Sequence, residues 1–354
     1  MCLAYLDAFA DRSQAVLQYH GYRTILSRAR SMWLFRLLQN PSATFRRDFV
    51  IGMLRSLVDR PQSGFNKLYL NVGHTGLDQN GLIEWVKRTG VRPVYFVHDL
   101  IPITHPQFCR PGERDKHRRR MLTVVDTAVG VIGNSQATLD ALAEFAKQEG
   151  RQIPRSIPGW LGTDVPPIET RESSDEPFFV ALGTIEARKN HMMLLDVWSK
   201  IAGNAEGQSL RLLFIGQRGW ECDDVFDRLA NDASLRGMVT ELNACSDEEM
   251  LDYLADARAL LFPSFAEGFG LPITEALAVG TPVIASDLPV FDEIGQGVPD
   301  RIPADDVDAW RAAVLDYAKP GSAKRNEQLE RLKNFRPFSW HDHFAAIGPW
   351  LAKL

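Results

Sequence analysis

The sequence of 354 residues predicts an α/β protein made of two doubly wound domains, each with a parallel sheet. Its length suits about two domains at roughly 150 residues each. Short apolar runs alternate with helical patterns, which is typical of strands joined by helical crossovers. A proline-rich stretch at 150–176 predicts a linker between the domains. Because such sheets bind ligands at the carboxyl ends of their strands, we expect a cleft between the two domains.

The first domain, residues 1–165, shows three runs typical of buried strands. They are 68–74, 93–98 and 128–134, each rich in Val, Ile, Leu or Phe and each ending in polar residues. A helical pattern over 136–148 follows the third run, and Ser135 is placed to cap it. His74, His98 and Asp99 stand at strand ends, where side chains face a ligand.

The second domain, residues 172–337, alternates five strand patterns with five helical ones. The strands are 178–183, 210–216, 238–242, 259–262 and 282–286, and the helices are 190–202, 225–230, 247–255, 272–279 and 307–318. Ser246 followed by Glu249 predicts a capping box for the third helix. Pro272 suits the first turn of the fourth helix and Gly280 its end.

Composition excludes several classes of protein. The chain is 45% hydrophobic and 24% charged, as in ordinary globular proteins. No apolar run approaches the roughly 20 residues needed to span a bilayer. The beginning, MCLAYLDAFADR, has neither the basic nor the apolar region of a secretory signal. The four cysteines lie far apart without a CxxC pair, which favours reduced thiols in a cytoplasmic protein.

Positive charge is concentrated near the start of the chain. Residues 1–170 carry 22 Lys and Arg against 15 Asp and Glu, whereas residues 171–354 carry 18 against 30. The segment 21–57 holds seven arginines, including Arg55, and interleaved aromatic residues. Two interpretations stay open: a peripheral contact with the inner face of a membrane, or a packed helix with a solvated arginine face. Nucleic acid is not expected, because no known binding motif accompanies the charge.

The most specific stretch is LFPSFAEGFGLPITEALAVGTPVIAS, which places Glu267 eight positions before Glu275. Gly268 and Gly270 allow backbone N–H groups to approach a ligand, and the start of the next helix favours a phosphate. A carboxylate in the turn can accept hydrogen bonds from sugar hydroxyls. A carboxylate one turn inside the helix can reach a ribose diol.

A second motif, GTIEARKNH, runs from the first strand of the second domain into a helix. Arg188 offers a bidentate fork and Lys189 a point charge, and both suit a diphosphate. The loop at Gly216 lies at the end of the next strand. The two motifs together predict a site for a nucleotide sugar.

The combined motifs resemble those of the retaining GT-B glycosyltransferases of family 4, also called glycosyl transferases group 1. The resemblance covers about residues 65–354 and is nearest to bacterial mannosyltransferases of lipopolysaccharide, capsule and exopolysaccharide synthesis. It implies two Rossmann-like domains facing a cleft, with the C-terminal helix, 338–354, packed back on the first domain. It also implies transfer of a hexose from a nucleotide sugar to a glycan or lipid-linked acceptor. GDP-mannose is the first expectation for the donor and UDP-hexoses the second.

The resemblance implies roles for individual residues. His98, Glu267, Arg188 and Lys189 are the expected catalytic residues, and a neutral His98 donates to a sugar hydroxyl or helps to bind the acceptor. His74 and Asp99 are the expected acceptor contacts, and the 242–246 loop flanks the base. The expected donor-binding residues are Gly183, Thr184, Arg188, Lys189, Gly216, Phe269, Gly270, Leu271 and Glu275.

No metal or other cofactor is expected, although two patterns suggest metal ligands. Asp306 and Asp308 form a D-x-D, but they stand where a helix begins, and acidic residues stabilise that end. His341 and His343 are two residues apart and do not share a helix face, so we place them in the C-terminal helix. The basic cluster 110–120 has two open interpretations, a site for an anionic acceptor or lipid head group, or a solvated surface.

Family members begin with a strand and a glycine-rich loop, whereas MCLAYLDAF resembles the helix that follows them. The sequence therefore predicts a first domain that lacks its first strand. Part of the donor and acceptor site is expected to be missing with that strand. Two alternatives to the transferase stay open. A sugar-nucleotide isomerase of the 2-epimerase type shares the fold, and a non-catalytic assembly partner is consistent with the missing strand.

Overall fold

The computed structural model describes residues 1–19, 21–56, 62–163, 165, 177–203 and 209–354. Leu57, which ends the arginine-rich segment, lies outside the described residues, as do the side chain of Arg55 and residues 164 and 166–176 of the predicted linker. Two parallel sheets form the cores of the described chain. The domain boundaries at 165 and 172 stay predictions.

The first sheet has four parallel strands in the order β3-β4-β5-β6. Its strands are β3 (Leu68–Asn71), β4 (Arg92–Val97), β5 (Gly130–Gly133) and β6 (Ser156–Pro158), and its helices are α4 (Leu82–Thr89), α5 (Ile101–Thr104), α6 (Glu113–Thr127) and α7 (Gln136–Gln148). Met121 of α6 and Leu142 of α7 are buried against Tyr95 and Val131. This apolar packing places the carboxyl ends of β4 and β5 side by side.

The described residues before this sheet form three α-helices and a hairpin. They are α1 (Cys2–Phe9), β1 (Val16–Tyr19), β2 (Tyr22–Ile25), α2 (Arg28–Gln39) and α3 (Phe45–Ser56), with a 3-10 turn at Ala10–Arg12 after α1. β1 and β2 pair with each other as an antiparallel hairpin. The expected first helix is α1, and its Tyr5 packs edge-on against Phe96 of β4. Among the described residues, no strand before β3 joins the first sheet.

The second sheet has six parallel strands in the order β12-β11-β10-β7-β8-β9. The strands are β7 (Phe178–Leu182), β8 (Arg211–Ile215), β9 (Val239–Leu242), β10 (Leu260–Phe262), β11 (Val283–Ser286) and β12 (Asp300–Ile302). The helices of this half of the chain are α8 (His191–Ala202), α9 (Asp223–Asn231), α10 (Asp247–Asp256), α11 (Leu271–Ala278), α12 (Pro289–Gly295), α13 (Val307–Ala318), α14 (Ala323–Leu332) and α15 (Trp340–Leu351), the last of which packs elsewhere. Helices α8, α9 and α13 cover one face, and α10, α11 and α12 cover the other.

Each of the eight runs predicted as strands overlaps one, namely β3–β5 and β7–β11, and β4 begins one residue before its predicted run. The sequence analysis missed β1, β2, β6 and β12. The linker prediction is wrong for Ser156–Pro158, which form β6 and pair with β5. Pro158 has no N–H, and a strand at the edge of a sheet tolerates that loss because one of its sides is unpaired.

Helix capping follows the sequence closely. Ser246 and Glu249 form the predicted capping box at the start of α10. Asp306 accepts a hydrogen bond from the Ala309 N–H at the start of α13, which accounts for the D-x-D pattern. Among the described residues, no cluster of three or more His, Cys, Asp or Glu has the geometry to hold a metal ion.

The C-terminal helix α15 lies against the first sheet. Ile347 is fully buried beside Phe96 of β4. His343 Nε2 lies 2.9 Å from the Tyr5 hydroxyl, and its Nδ1 lies 2.8 Å from the Trp160 carbonyl. The last helix of the chain therefore belongs to the packing of the first sheet. None of the described helices is both long enough and apolar enough to span a bilayer.

Candidate active site

Two cations and one carboxylate form an ion cluster at the carboxyl ends of the neighbouring strands β7 and β10. Lys189 Nζ lies 2.6 Å from Glu267 Oε1, and Arg188 Nη1 lies 2.9 Å from Oε2. Arg188 Nη2 lies 2.6 Å from Glu186. The Glu267 side chain is only 9% exposed, and those of Arg188 and Lys189 are 18% and 11% exposed. The structure thus brings together three of the four residues predicted to be catalytic.

Backbone geometry presents the cations to the carboxylate. Residues 187–189 form a single 3-10 turn, which Asn190 ends with a positive φ of 59°. The Phe265 N–H donates to the Arg188 carbonyl at 2.9 Å and so joins the turn to the loop that carries Glu267. The loops after β7 and β10 are therefore held as a pair.

The glycines of this region permit a close approach of loops. A Cβ atom at Gly216 would lie 2.1 Å from the Gly183 carbonyl oxygen, so this position has no room for a side chain. Gly183 itself has a positive φ of 127°, and Thr184 beside it is exposed. The predicted donor-binding residues at 183, 184 and 216 therefore lie together at the ends of β7 and β8.

Electrostatics keep Glu267 ionised. Burial by itself raises the pKa of Glu267, but the charges of Lys189 and Arg188 outweigh it, and its pKa lies below the usual value. Burial lowers the pKa of Arg188, and the carboxylates of Glu267 and Glu186 reverse that effect and raise its pKa. Because a lysine has three N–H donors and an arginine five, both cations retain donors for an anionic ligand.

Glu275 lies on α11 and is half-buried. Within the described chain its carboxylate makes no hydrogen bond or ion pair. Burial, followed by the charge of Asp247, raises its pKa. Gly270 precedes the helix with a positive φ of 105°, Phe269 is buried and Leu271 is 37% exposed. Pro272 has no N–H and the Ile273 N–H donates to the Gly270 carbonyl at 2.9 Å, so at this end of α11 the Leu271 N–H is the helical donor that can serve a ligand.

Three histidine rings meet at the carboxyl ends of the first sheet. His98 follows β4, and its ring centroid is 5.0 Å from that of His74. His117 of α6 is 5.6 Å from His74 on another side. His74 has a positive φ of 56°, which is uncommon for a residue with a side chain. The sequence analysis identified two of these histidines and missed His117.

Hydrogen bonds determine which ring nitrogens carry protons. His98 Nε2 lies 2.8 Å from the Val72 carbonyl, which can only accept, so Nε2 donates. Neutral His98 therefore offers a ligand Nδ1 as an acceptor, rather than the donor that the sequence analysis expected. His74 Nε2 accepts from the His98 backbone N–H at 3.3 Å. Burial, followed by the charges of His98 and His117, lowers the pKa of His74 to about 3, so this ring stays neutral.

The two domains touch at Gly268, the residue after Glu267. Its carbonyl accepts hydrogen bonds from Ser135 Oγ at 2.9 Å and Thr138 Oγ1 at 3.2 Å. A Cβ atom at Gly268 would lie 2.1 Å from the His98 carbonyl oxygen. His98 thus stands beside the loop of Glu267, across the cleft between the domains.

Asp99 has a structural contact as well as its place in the cleft. Its Oδ1 accepts a hydrogen bond from the Ile101 N–H at 3.0 Å, at the start of α5. Its Cβ lies near the same Gly268 position. The structure therefore brings all four predicted catalytic residues, and the two predicted acceptor contacts, to one cleft.

A second contact between the domains, away from Gly268, is made by a carboxylate of the second domain. Glu293 of α12 accepts from the Gln136 N–H at 2.7 and 2.9 Å and from Trp160 Nε1 at 2.6 Å. Gln136 begins α7, so the carboxylate also interacts favourably with the positive end of that helix. The sequence analysis missed this latch, because Glu293 and Gln136 are far apart in the chain.

Glu186 was also missed, although a signal existed. It lies two residues before Arg188 within the GTIEARKNH motif, and an acid so near two cations suggests an ion pair. His117 gave no such signal, since it stands among the basic residues of 110–120, where the sequence suggests a solvated surface.

Comparison with known proteins identifies the second domain. Residues 167–298 match the family model described as Glycosyl transferases group 1. The chain carries a group 1 glycosyl transferase domain. The matched residues include Arg188, Lys189, Glu267 and Glu275, and the group 1 match predicted from the sequence is confirmed over 167–298.

Curated relatives extend the match beyond the group 1 domain. The serotype-specific mannosyltransferase WbdA of Escherichia coli is 28% identical over 271 residues, which are 69% of this chain and 33% of WbdA. The O-antigen chain mannosyltransferase RfbU of Salmonella typhimurium is 29% identical over 262 residues, which are 73% of this chain and 68% of RfbU. The chain thus spans about a third of the length of WbdA.

A solved structure supports the fold. The pneumococcal O-GlcNAc transferase GtfA, determined in complex with UDP and GlcNAc, superposes with a TM-score of 0.58 at 15% identity. The match covers 87% of this chain and 59% of GtfA. Together with the two parallel sheets facing a cleft, this similarity confirms the predicted GT-B fold.

Proposed function

We propose that this chain is a retaining glycosyltransferase that moves a hexose, with mannose favoured, from a nucleoside diphosphate sugar to a glycan or lipid-linked acceptor in cell-surface polysaccharide synthesis. The observation that carries the proposal is Glu267 bound to both Arg188 and Lys189 in the cleft, beside His98. The names of WbdA and RfbU support mannose as the hexose.

In this proposal Arg188 and Lys189 stabilise the leaving diphosphate. The bond between the anomeric carbon and the phosphate oxygen breaks while the acceptor hydroxyl forms its bond from the same face. The acceptor proton passes to the departing phosphate oxygen, so no protein nucleophile is needed. Negative charge then develops on the diphosphate, and fixed cations stabilise it without reorganisation.

The remaining groups hold the donor. Each Glu267 oxygen accepts one cation N–H and keeps a lone pair for a sugar hydroxyl. His98 Nδ1 accepts a second hydroxyl, and the N–H groups at 269–271 bind donor oxygens. Glu275, which has no partner within the described chain, accepts from the ribose hydroxyls.

GDP-mannose is the proposed donor, and a UDP-hexose is the second candidate because GtfA was solved with UDP. We expect no metal requirement, since Arg188 and Lys189 supply the positive charge that a metal would otherwise bring to the diphosphate. Transfer should therefore persist when EDTA is added. A preferred donor should raise the melting temperature by mass action in a panel of sugar nucleotides.

The central experiment measures release of nucleoside diphosphate from the preferred donor, with and without α-linked mannobiose and longer mannans. Lys189→Ala should lower the rate on the order of 10²–10³-fold, because a preorganised charged contact is lost. Lys333→Ala is the control, since that lysine lies on the surface with its side chain 67% exposed.

The same experiment separates the alternatives. Release that requires an acceptor supports transfer. Conversion of the donor to an isomeric sugar nucleotide without an acceptor would instead indicate the 2-epimerase type. Donor binding without any turnover would indicate a non-catalytic assembly partner.

We also propose that α3 contacts the anionic inner face of a membrane. A Cβ at Gly52 would lie 1.8 Å from Trp33, so that side of α3 packs against α2. Val50, Ile51 and Leu54 are 55%, 41% and 62% exposed, and the neighbouring Arg47 side chain is 69% exposed. An exposed apolar strip beside arginines suits anionic lipid.

Not all the arginines of this segment contribute. Arg23 is only 4% exposed and donates to the Gly76 carbonyl at 3.0 Å, so it belongs to the packed interior. The protein should sediment with phosphatidylglycerol vesicles at low salt, and the Leu54→Glu variant should stay in the supernatant. Equal binding to uncharged phosphatidylcholine vesicles would contradict the role of the arginines.

A further inference from the structure

A cavity of about 430 Å³ opens between the two domains. Phe108, Arg110 and Glu113 line it from the first domain, and Glu186 and Trp220 line it from the second. Because Glu186 also binds Arg188 at 2.6 Å, the cavity adjoins the ion cluster. Its volume falls within the range of about 300–1,000 Å³ typical of small-molecule sites.

Trp220 and Glu275 adjoin helices on opposite faces of the second sheet. Trp220 leads into α9, and Val225 of α9 packs in the same core as α8. Ile273 and Leu277 of α11, which flank Glu275 in sequence, pack in the core on the other face. The cavity wall at Trp220 is therefore separate from the end of α11 that is proposed to hold the ribose.

Trp220 gives the cavity an aromatic surface with an unused donor. Its side chain is half-buried, and no hydrogen bond or ring contact involves it within the described chain. Phe108 stacks on Phe265 of the other domain, with ring centroids 5.3 Å apart and an interplanar angle of 10°. This stack holds the first-domain wall of the cavity against the loop of the ion cluster.

The charged groups of the cavity can bind the hydroxyl groups of a ligand. Glu113 binds Lys116 at 3.1 Å and Glu186 binds Arg188 at 2.6 Å, each through one oxygen, so the second oxygen can accept from a ligand. Arg218 is bound to Glu241 at 2.6 Å, whereas Arg110 is exposed and its side chain makes no hydrogen bond or ion pair within the described chain. These two carboxylates and two arginines give the lining no net formal charge, which suits an uncharged ligand with hydroxyls that both donate and accept.

We propose that this cavity binds an uncharged pyranose residue of the acceptor glycan, with Trp220 as the residue that determines specificity for it. A pyranose has a face of C–H groups that packs on an aromatic ring and a rim of hydroxyls that bind carboxylates. The inference rests on the proposed transferase function. It adds which part of the cleft receives the acceptor and what chemistry that acceptor has.

The experiment screens the full chain against an array of neutral manno-, gluco- and galacto-oligosaccharides and then titrates the best binder by calorimetry. Titrations with GDP and UDP run in parallel. We expect Trp220→Ala to weaken glycan binding at least about tenfold, equal to about 1.4 kcal/mol, with nucleotide binding unchanged. Trp220→Phe should retain binding within about threefold, because it keeps an aromatic ring.

Phe65→Ala is the matched control, since it removes an aromatic ring that is 78% exposed and outside the cavity. Trp220→Leu serves as a second variant that keeps apolar volume if Trp220→Ala does not fold. Equal glycan binding by wild type and Trp220→Ala, or by wild type and Trp220→Leu where the alanine variant does not fold, overturns the inference, as does wild type that binds nucleotide but no neutral glycan. Wild type that binds neither GDP nor UDP contradicts the proposed function itself.

Discussion

Replacing Glu267 by glutamine tests the ion cluster through stability as well as activity. The substitution keeps the size of the side chain and removes the charge that both cations contact at 2.6 and 2.9 Å. Breaking a buried ion pair costs about 3–5 kcal/mol, because the remaining charge is left uncompensated. Arg188 keeps Glu186 as a partner, so we expect the lower end, about 3 kcal/mol of unfolding free energy.

Urea unfolding followed by circular dichroism measures this loss. Glu330→Gln is the matched control, because it removes the charge from a surface pair with Lys333 in which both side chains are more than 60% exposed. Such pairs contribute about 0–1 kcal/mol. If Glu267→Gln loses no more stability than Glu330→Gln, the reasoning about the buried cluster is refuted.

The pH dependence of stability gives a second reading of the same variant. The folded state holds the pKa of Glu267 below its usual value. The stabilisation is therefore present above the ordinary glutamate pKa of about 4.3 and is lost as the pH falls through the lower folded value. Glu267→Gln should flatten the fall in unfolding free energy below about pH 4.3, and an unchanged acid slope would count against the cluster.

Three further predictions concern the contacts between the domains and the histidines. Glu293→Gln should weaken the hydrogen bonds that Glu293 accepts from Gln136 and Trp160, because a hydrogen bond to a charged group contributes about 1.5–3 kcal/mol. Small-angle scattering should then show a larger radius of gyration, and donor titrations should show a weaker affinity. An unchanged radius and affinity would contradict a role for Glu293 in holding the domains together. Gly268→Ala should abolish transfer, since its Cβ would lie 2.1 Å from the His98 carbonyl oxygen, whereas Gly348→Ala, with nothing within 4 Å, should not; equal activity in both would show that the close approach is not required. His74 should remain neutral by NMR titration down to about pH 3. Because the pKa of His74 is depressed in the folded state, its contribution to the unfolding free energy is present above about pH 6.5 and is lost as the pH falls towards 3. A titration of His74 near pH 6 would show that the ring is not buried as described.

Local features of the sequence were sufficient for most of the fold. The apolar runs predicted β3–β5 and β7–β11, and the pattern at 307–318 matches α13. The capping box of Ser246 and Glu249 is present as expected. These features are predictable because buried strands and helix ends are specified by residues within a few positions of one another.

Motifs within single loops were enough to predict the group 1 match, an α/β fold with parallel sheets and the loops that carry Arg188, Lys189 and Glu267. The folded chain adds that one carboxylate holds both cations, that Glu293 bonds across the domains and that His117 joins His74 and His98. It also places Trp220 in a cavity between the domains and makes Ser156–Pro158 an edge strand. These arrangements could not be predicted because they depend on contacts between residues far apart in the chain, which helical and strand periodicities do not encode.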